Sequence, residues 1–335
     1  MNFAKNAARF LRNIGVFFLG YTAFKVSKRT PKGAYASMRQ LYCQTNGGFN
    51  ELVSKMETVF RRPYKLEKVS GVLGHLDPSD IRRIADDIRE NGYHVFPNRL
   101  PAEKVAELVR FSKTEPSIPR LSENKTPLIY RSENPVSPLY DFTPQSIFES
   151  PCLQPYLMDE SFLAVAQEYL GNAPMLDLVA MWWSTANCKN ADLSKSAQLY
   201  HFDMDRIRFL KFFIYLSDVD TNNGPHCYIQ CSNRVKAPGV RRDGRILDEE
   251  LHRHYPEDAF KEITGPIGTI LAVDTSGFHK GKPLESGERL IFQMEFSTSM
   301  FGQYYPPVKK TPAMGQRFIA DLDLRPRVFS GIVAD

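Results

Sequence analysis

The stretch LYHFDMDRIRFLKFFIYLS, residues 199–217, carries the pattern that decides the fold. From Phe209 to Ser217 it alternates: Leu210, Phe212 and Ile214 fall on one face, Lys211, Phe213 and Tyr215 on the other. That period of two is the signature of a β-strand. Just upstream, His201 and Asp203 stand two residues apart. Read as a strand over residues 198–204, this segment turns both side chains to one side, as two metal ligands from one strand must be.

Outward from this stretch, the C-terminal half reads as further strands at Met175–Ser184, Tyr228–Gln230, Thr269–Asp274 and Arg289–Phe296. Turn residues separate most of them: Asn222-Asn223-Gly224-Pro225, Gly265-Pro266 and Ser286-Gly287. Helices precede them. Asp77-Pro78-Ser79-Asp80 is a helix start, Ile81, Ile84, Ala85 and Ile88 repeat at helical spacing, and Asn91-Gly92 is a stop. Two more helices open at Pro101 and near Asp159, the latter ending at Gly171. Residues 113–157, rich in Pro, Ser and Asn, read as a long irregular segment of the kind that forms lids and binding loops. Helices followed by several short strands predict an antiparallel barrel or sandwich with helical support.

Composition narrows the function classes. The chain has 335 residues, 42% hydrophobic and 24% charged, ordinary globular usage with enough apolar material for a sizeable core. A net charge of +5 is too mild for a nucleic-acid binder. No Gly-rich phosphate loop and no GxSxG is present. The five cysteines form no CxxC pair, and Cys227 and Cys231 are too far apart along one strand to be bridged. A reducing, cytoplasmic location is the expectation.

A third ligand would complete the metal-binding face, and His279, just past the strand ending at Asp274, is the best candidate. Two imidazoles and one carboxylate leave three octahedral positions open, a geometry suited to non-haem Fe(II) and oxygen chemistry. Ten residues on, Arg289 opens an apolar strand, where burying it unpaired would be costly and a bidentate carboxylate ligand would relieve the cost. The alternative is an exposed first residue of the strand. Other histidines fit less well. His252-Arg253-His254 lies in a charged stretch that reads as a solvated helix face, and His226, after Gly224-Pro225, is a candidate for the border of the site. Asp205 continues the face of Asp203.

Asn91-Gly92-Tyr93-His94-Val95-Phe96, His201-Phe202-Asp203, Tyr215-Leu216-Ser217-Asp218-Val219-Asp220 with Asn222-Asn223-Gly224-Pro225, His279 and Arg289 together resemble the phytanoyl-CoA dioxygenase family of Fe(II)/2-oxoglutarate oxygenases. The resemblance covers Gly92 to Phe296. It implies a double-stranded β-helix, a cupin-like jelly roll that is mainly β with helical support. It also implies a division into a basic N-terminal helical extension (1–60), the dioxygenase domain (61–300) and a C-terminal extension (301–335). By the same resemblance His201, Asp203 and His279 would bind iron and Arg289 would hold the distal carboxylate of 2-oxoglutarate. O2 would be consumed with the co-substrate, and a small-molecule, sugar or lipid substrate hydroxylated. Related halogenases carry Gly or Ala at the position of Asp203, so hydroxylation is favoured over halogenation. Phe213 falls where the family places an aromatic wall of the co-substrate pocket. Lys211 and Tyr215 would then also point inward, with Lys211 free to contact a carboxylate; the alternative is that this face points outward. Gln230-Cys231-Ser232-Asn233 departs from the Pro-Gly-Ser-His of many relatives, in a loop that borders the site in the family. That departure leaves a non-catalytic, ligand-binding jelly roll as the rival reading. Entrance candidates are Ser117–Phe142, with Tyr130, Arg131 and Tyr140, and also Asn187 and Lys189; they suit an anionic or glycan-like substrate.

The N-terminus stands apart. Residues 1–50 hold eight of the 43 basic residues and no acidic one, while the other 35 basic residues face 38 acidic. The uncharged run between Arg12 and Lys25 is only 12 residues, too short to span a bilayer, which takes about 20. Its apolar residues predict a helix packed on the main domain; peripheral contact of residues 1–32 with an anionic membrane is the alternative.

Overall fold

The protein is described here by a computed structural model covering residues 2–66, 69–186, 199–331 and 333–334. Gln198, Asn187 and Lys189 lie outside these residues. Three helices lead the chain: α1 (Asn2–Ser27), α2 (Lys32–Thr45) and α3 (Gly48–Phe60). A short hairpin, β1 (Val69–Gly71) and β2 (Gly74–Leu76), precedes α4 (Pro78–Asn91). Asp77 caps that helix, accepting from the Ser79 and Asp80 amides at 2.7 and 3.0 Å, and Gly92 ends it in the left-handed region at φ 90°. Next come β3 (Tyr93–Val95), α5 (Ala102–Thr114), β4 (Ile118–Pro119), β5 (Leu139–Asp141), α6 (Pro144–Glu149), α7 (Gln154–Leu157) and α8 (Glu160–Leu170). The segment read as irregular from 113 to 157 thus contains two short strands and two short helices, too brief to show a period in sequence.

From β6 (Met175–Thr185) onward the chain steps between two sheets. β7 (Phe209–Tyr215), β10 (Ile270–Val273) and β12 (Glu288–Ser297) join β6, while β8 (His226–Ile229), β9 (Phe260–Ile263) and β11 (His279–Gly281) form the facing sheet. Among the described residues the larger sheet is antiparallel, in the order β3-β10-β7-β12-β6-β5-β4, and the smaller is β11-β8-β9. This alternation is a double-stranded β-helix, the jelly roll expected from the sequence. The helices hold more residues than the strands, so β structure describes the site-bearing core and the helices its casing. Short α9 (Asp248–His252) lies between β8 and β9, and α10 (Gln316–Leu324) and α11 (Pro326–Phe329) close the chain.

Strand alternation sorts the larger sheet into two functions. Val179, Met181, Trp183, Phe212, Ile214, Phe292 and Met294 point outward into the main core beneath α4, α5 and α8. Their neighbours in sequence point inward: Lys211, Phe213 and Tyr215 from β7, and Arg289, Ile291 and Gln293 from β12, all around a cavity between the sheets. The inward orientation of the Lys211 face is therefore the one adopted.

α1 packs on the main body through Phe17 and Phe24, which meet Phe301, with Phe49 and Val53 of α3 in the same cluster. Gly20 permits the crossing of α1 on α2, because a Cβ there would collide with the Cβ of Ala34. α2 is tied to the jelly roll by Lys236, a fully enclosed amine that donates to Tyr42 Oη and to the Ser232 carbonyl, both at 3.0 Å. The Lys236 ammonium also lies over the faces of Phe202 and Phe278.

Two predictions follow from this packing. Gly20→Val should cost about 1–3 kcal/mol by overpacking the helix crossing, read as a lowered Tm. Burial lowers the Lys236 pKa to about 7, whereas in the unfolded chain it keeps its ordinary 10.5. Between those values the unfolded state binds the extra proton, so this residue's contribution to stability rises with pH above about 7 and is absent below it. Lys236→Met should abolish that slope: the difference in unfolding free energy between wild type and variant should grow by about 2 kcal/mol from about pH 7 to about pH 9 in urea titrations.

Candidate metal and carboxylate site

His201 and His279 come from facing edges of a two-residue ladder. The His201 amide donates to the His279 carbonyl at 3.0 Å, and the His279 amide returns the bond at 2.9 Å. Among the described residues 199–204 only isolated bridges form, at Tyr200 and His201, in place of the expected strand. Asp203 is held instead by its own amide, which donates to the Thr275 carbonyl at 2.8 Å. These bonds preserve the same-side placement of His201 and Asp203. His279 opens β11 rather than trailing the preceding strand.

The three side chains converge. Ligand atoms from His201, Asp203 and His279 all lie within 4.8 Å of one another. Nε2 of His201 is 3.5 Å from Asp203 Oδ1, and Nε2 of His279 is 3.5 Å from Asp203 Oδ2. On each ring Nδ1 faces a backbone carbonyl, Leu199 at 2.9 Å and Gly277 at 3.0 Å. Nδ1 is then the protonated nitrogen, and each Nε2 turns its lone pair to the common centre. Burial and the neighbouring His201 hold the His279 pKa well below the usual value, which keeps the ring in its neutral, ligating form. Burial opposes ionisation of Asp203, but Lys211 and the two imidazoles outweigh it and hold the carboxyl well below the usual range.

Lys211 points inward but is not free for a ligand. Its ammonium lies 2.7 Å from Asp203 Oδ2, 3.2 Å from Glu295 Oε2 and 3.6 Å from Asp205 Oδ2. Glu295 is fully buried, and burial with the nearby Asp177 raises its pKa well above the ordinary value. Asp177 pairs with the buried Arg206. The sequence analysis missed this charged column, although a signal exists: Asp177 and Glu295 are acids inside strands that otherwise read as apolar. A β-bulge at Glu295/Phe296 leaves Asp177 without an opposing residue and turns it to the interior beside Glu295. Two neutral imidazoles and an ionised carboxylate around one centre are a donor set that fits a divalent cation of the Fe(II) type.

Arg289 lines the same cavity, of about 430 Å³. It is only 6% exposed, its Nε has no partner, and its Nη2 lies 3.5 Å from Ser184 Oγ. Burial lowers its pKa. Next to it is His226, stacked on His279 with ring centroids 5.5 Å apart and against Phe213 at 5.2 Å. Burial and Arg289 lower the His226 pKa to about 3, and its Nε2 is buried without a partner. Thr275 Oγ1, also buried and unpartnered, faces the cavity. Tyr215 lines the wall but spends its hydroxyl on the Ile263 carbonyl at 2.7 Å.

Other candidates fall elsewhere. Arg120, Asp141 and Phe142 of the expected entrance line the cavity, and Arg120 pairs with Asp141. Tyr130 and Tyr140 are core residues, Tyr130 stacked on Trp183. His252 pairs with exposed Glu257. Residues 230–233 do not line the cavity. Cys231 holds the left-handed φ of 64° at the place where relatives of the resembled family carry Gly, and Asn233 Nδ2 donates to the last carbonyls of α4 at 3.2 and 3.1 Å.

No family model matches the sequence, and no curated protein is similar to it. Solved structures do align. The non-heme alpha ketoglutarate dependent epimerase SnoN from nogalamycin biosynthesis does so at 16% identity over 66% of this chain and 83% of its own, with a TM-score of 0.46. HygX from Streptomyces hygroscopicus, solved with nickel, 2-oxoglutarate and hygromycin B, aligns at 15% identity over 68% and 90%, TM-score 0.46. EctD from S. alaskensis with bound Fe aligns at 18% over 71% and 83%, TM-score 0.46. Likeness at this distance says nothing of what this chain binds or transforms.

Arg289→Met tests whether the guanidinium is placed for a ligand. Removing an unpaired buried cation should leave the Tm of the ligand-free protein unchanged or raised, while binding of a dicarboxylate falls below detection in calorimetry. Lys211→Met should do the reverse to stability, costing about 3–5 kcal/mol in denaturant unfolding because it strands Glu295 and Asp203 without their counter-charge.

Proposed function

We propose that this chain is an Fe(II)- and 2-oxoglutarate-dependent dioxygenase of the phytanoyl-CoA dioxygenase kind that hydroxylates a small-molecule substrate. The observation that carries the reading is the buried Arg289, with no carboxylate partner among the described residues, in the same cavity as the His201–Asp203–His279 set. A buried guanidinium without a carboxylate is unstable on its own, and a dicarboxylate that also reached the metal centre would satisfy both ends.

His201, Asp203 and His279 would hold the iron, and Arg289 the distal carboxylate of 2-oxoglutarate. When bound, iron supplies the coupling of O2 reduction to decarboxylation of the keto acid, giving succinate and CO2, with the second oxygen atom going to the substrate as a hydroxyl. The chain's own groups do the positioning. Phe213 forms a wall beside His226, whose Nε2 is available for a hydrogen bond from or to the co-substrate. Lys211 fixes the Asp203 carboxylate through its Oδ2. Trp182, Ile291 and Phe142 line the remaining space and keep water from the reacting atoms. Lys282 and Arg120 at the same cavity, paired with Glu262 and Asp141, give a polar lining that suits a glycan-like substrate.

Anaerobic titration with Fe(II) and 2-oxoglutarate should give a visible charge-transfer band that Asp203→Ala lacks, and admission of O2 should release succinate. A protein that binds both components yet yields no succinate, with any substrate pool supplied, would be a non-catalytic binding protein. A protein that gives no band would have neither function.

A further inference from the structure

α1 and α3 lie side by side: the Phe18 and Phe49 rings are 6.2 Å apart, and Lys25 pairs with Glu57 further along. Their inner faces are spent on the fold. Their outer faces are apolar and uncovered. On α1, Leu19 and Val26 are 77% and 84% exposed, one helical repeat apart and opposite the buried Phe17 and Phe24. On α3, Leu52, Met56, Val59 and Phe60 repeat at helical spacing, with Val59 and Phe60 73% and 82% exposed. Nothing in the jelly roll needs these side chains.

Where the two helices end together, a cavity of about 470 Å³ opens. Its basic lining comprises Lys25, Lys28, Arg29, Arg61 and Arg206, and no Asp or Glu lines it. Arg206 is spent on Asp177, and one buried carboxylate, Glu57, is shared between Lys25 and Arg61. Lys28 and Arg29 have no acidic partner among the described residues. Burial and the neighbouring Arg61 and Lys28 charges lower the Lys25 pKa to about 8, as expected where positive charge is crowded. An apolar stripe rimming an acid-free basic cavity has the two halves of a phospholipid's chemistry.

We infer that the outer face of α1 and α3 docks on a bilayer containing anionic phospholipid, with Leu19, Val26, Val59 and Phe60 entering the interface and a lipid phosphate seated among Lys28, Arg29 and Arg61. Charge complementarity selects this partner: residues 1–61 carry ten basic side chains and two acidic ones. The helices lie along the surface, since no helix among the described residues is long and apolar enough to cross it.

Co-sedimentation of the full chain with vesicles tests this. The wild type should pellet with phosphatidylglycerol mixed into phosphatidylcholine and stay in solution with phosphatidylcholine alone. Lys28→Gln/Arg29→Gln should weaken binding roughly tenfold or more, as should raised salt. Val26→Glu/Phe60→Glu should abolish it with unchanged circular dichroism and Tm. Glycerol phosphate in solution should not displace the protein. Four results would overturn the inference: no binding to the anionic vesicles, equal binding of all variants, full displacement by glycerol phosphate, or a lipid-free wild-type dimer that Val26→Glu/Phe60→Glu converts to monomer. The last would assign the face to a second copy of the chain.

Discussion

Two backbone hydrogen bonds, between His201 and His279, set the terms for the rest of the molecule. The residues are 78 positions apart, and the reciprocal amide–carbonyl pair makes their rings neighbours, with centroids 4.4 Å apart. No side-chain force would do this. Two neutral imidazoles and a carboxylate have little reason to meet without a cation, and bringing them together costs desolvation. The sheet supplies the closure, and the site inherits its geometry. The role of the jelly roll is therefore to hold the donors in register whether or not anything binds them.

The interior around this centre is unusually charged, and its two cations are treated in opposite ways. Lys211 is surrounded by Asp203, Glu295 and Asp205, and the column continues through Asp177 to Arg206. This is structural charge, internally compensated. Arg289, on the same inward face and six residues along β12 from Glu295, is left with a long contact to a serine hydroxyl. Folding alone would not retain such a residue at a buried position, because an apolar side chain of similar volume would be more stable. The contrast separates a residue that holds the site together from one that waits for a ligand.

Much of this was legible in the amino-acid order, and the parts that were not share a cause. The alternation from Phe209 to Tyr215 gave the strand and its two faces because one face is apolar throughout. His201 and Asp203 were readable from spacing, and His279 and Arg289 from their place around the last strands. The partners of Lys211 were not readable. Glu295 and Asp177 reach it through a bulge, and a one-residue irregularity leaves no trace in local pattern. Strands β9 and β11, of four and three residues, were too short to announce themselves, although β11 carries a metal ligand. The loop at Cys231 looked like a change near the site. It does not line the cavity, but Ser232 Oγ accepts from the Phe278 amide at 2.8 Å, next to His279, and Asn233 takes up the carbonyls at the end of α4. Residues 1–60 were expected to be helical, but how α2 and α3 anchor was not readable, because their contacts, Asn50 to the Ile207 carbonyl and Lys236 to Tyr42, join residues more than 150 positions apart.

The segment just after Asp203 is gripped by both ends of the chain. Asn50 of α3 donates to the Ile207 carbonyl at 3.1 Å, Gln303 donates to the Asp205 carbonyl at 2.8 Å, and Thr30 accepts from the Gly302 amide at 2.9 Å. During synthesis on the ribosome, the part of the chain that carries the ligands emerges well before Gly302 and Gln303. A nascent chain halted short of them would own every ligand and the bonds that pair them, yet lack the contact that Gln303 makes with the segment beside Asp203.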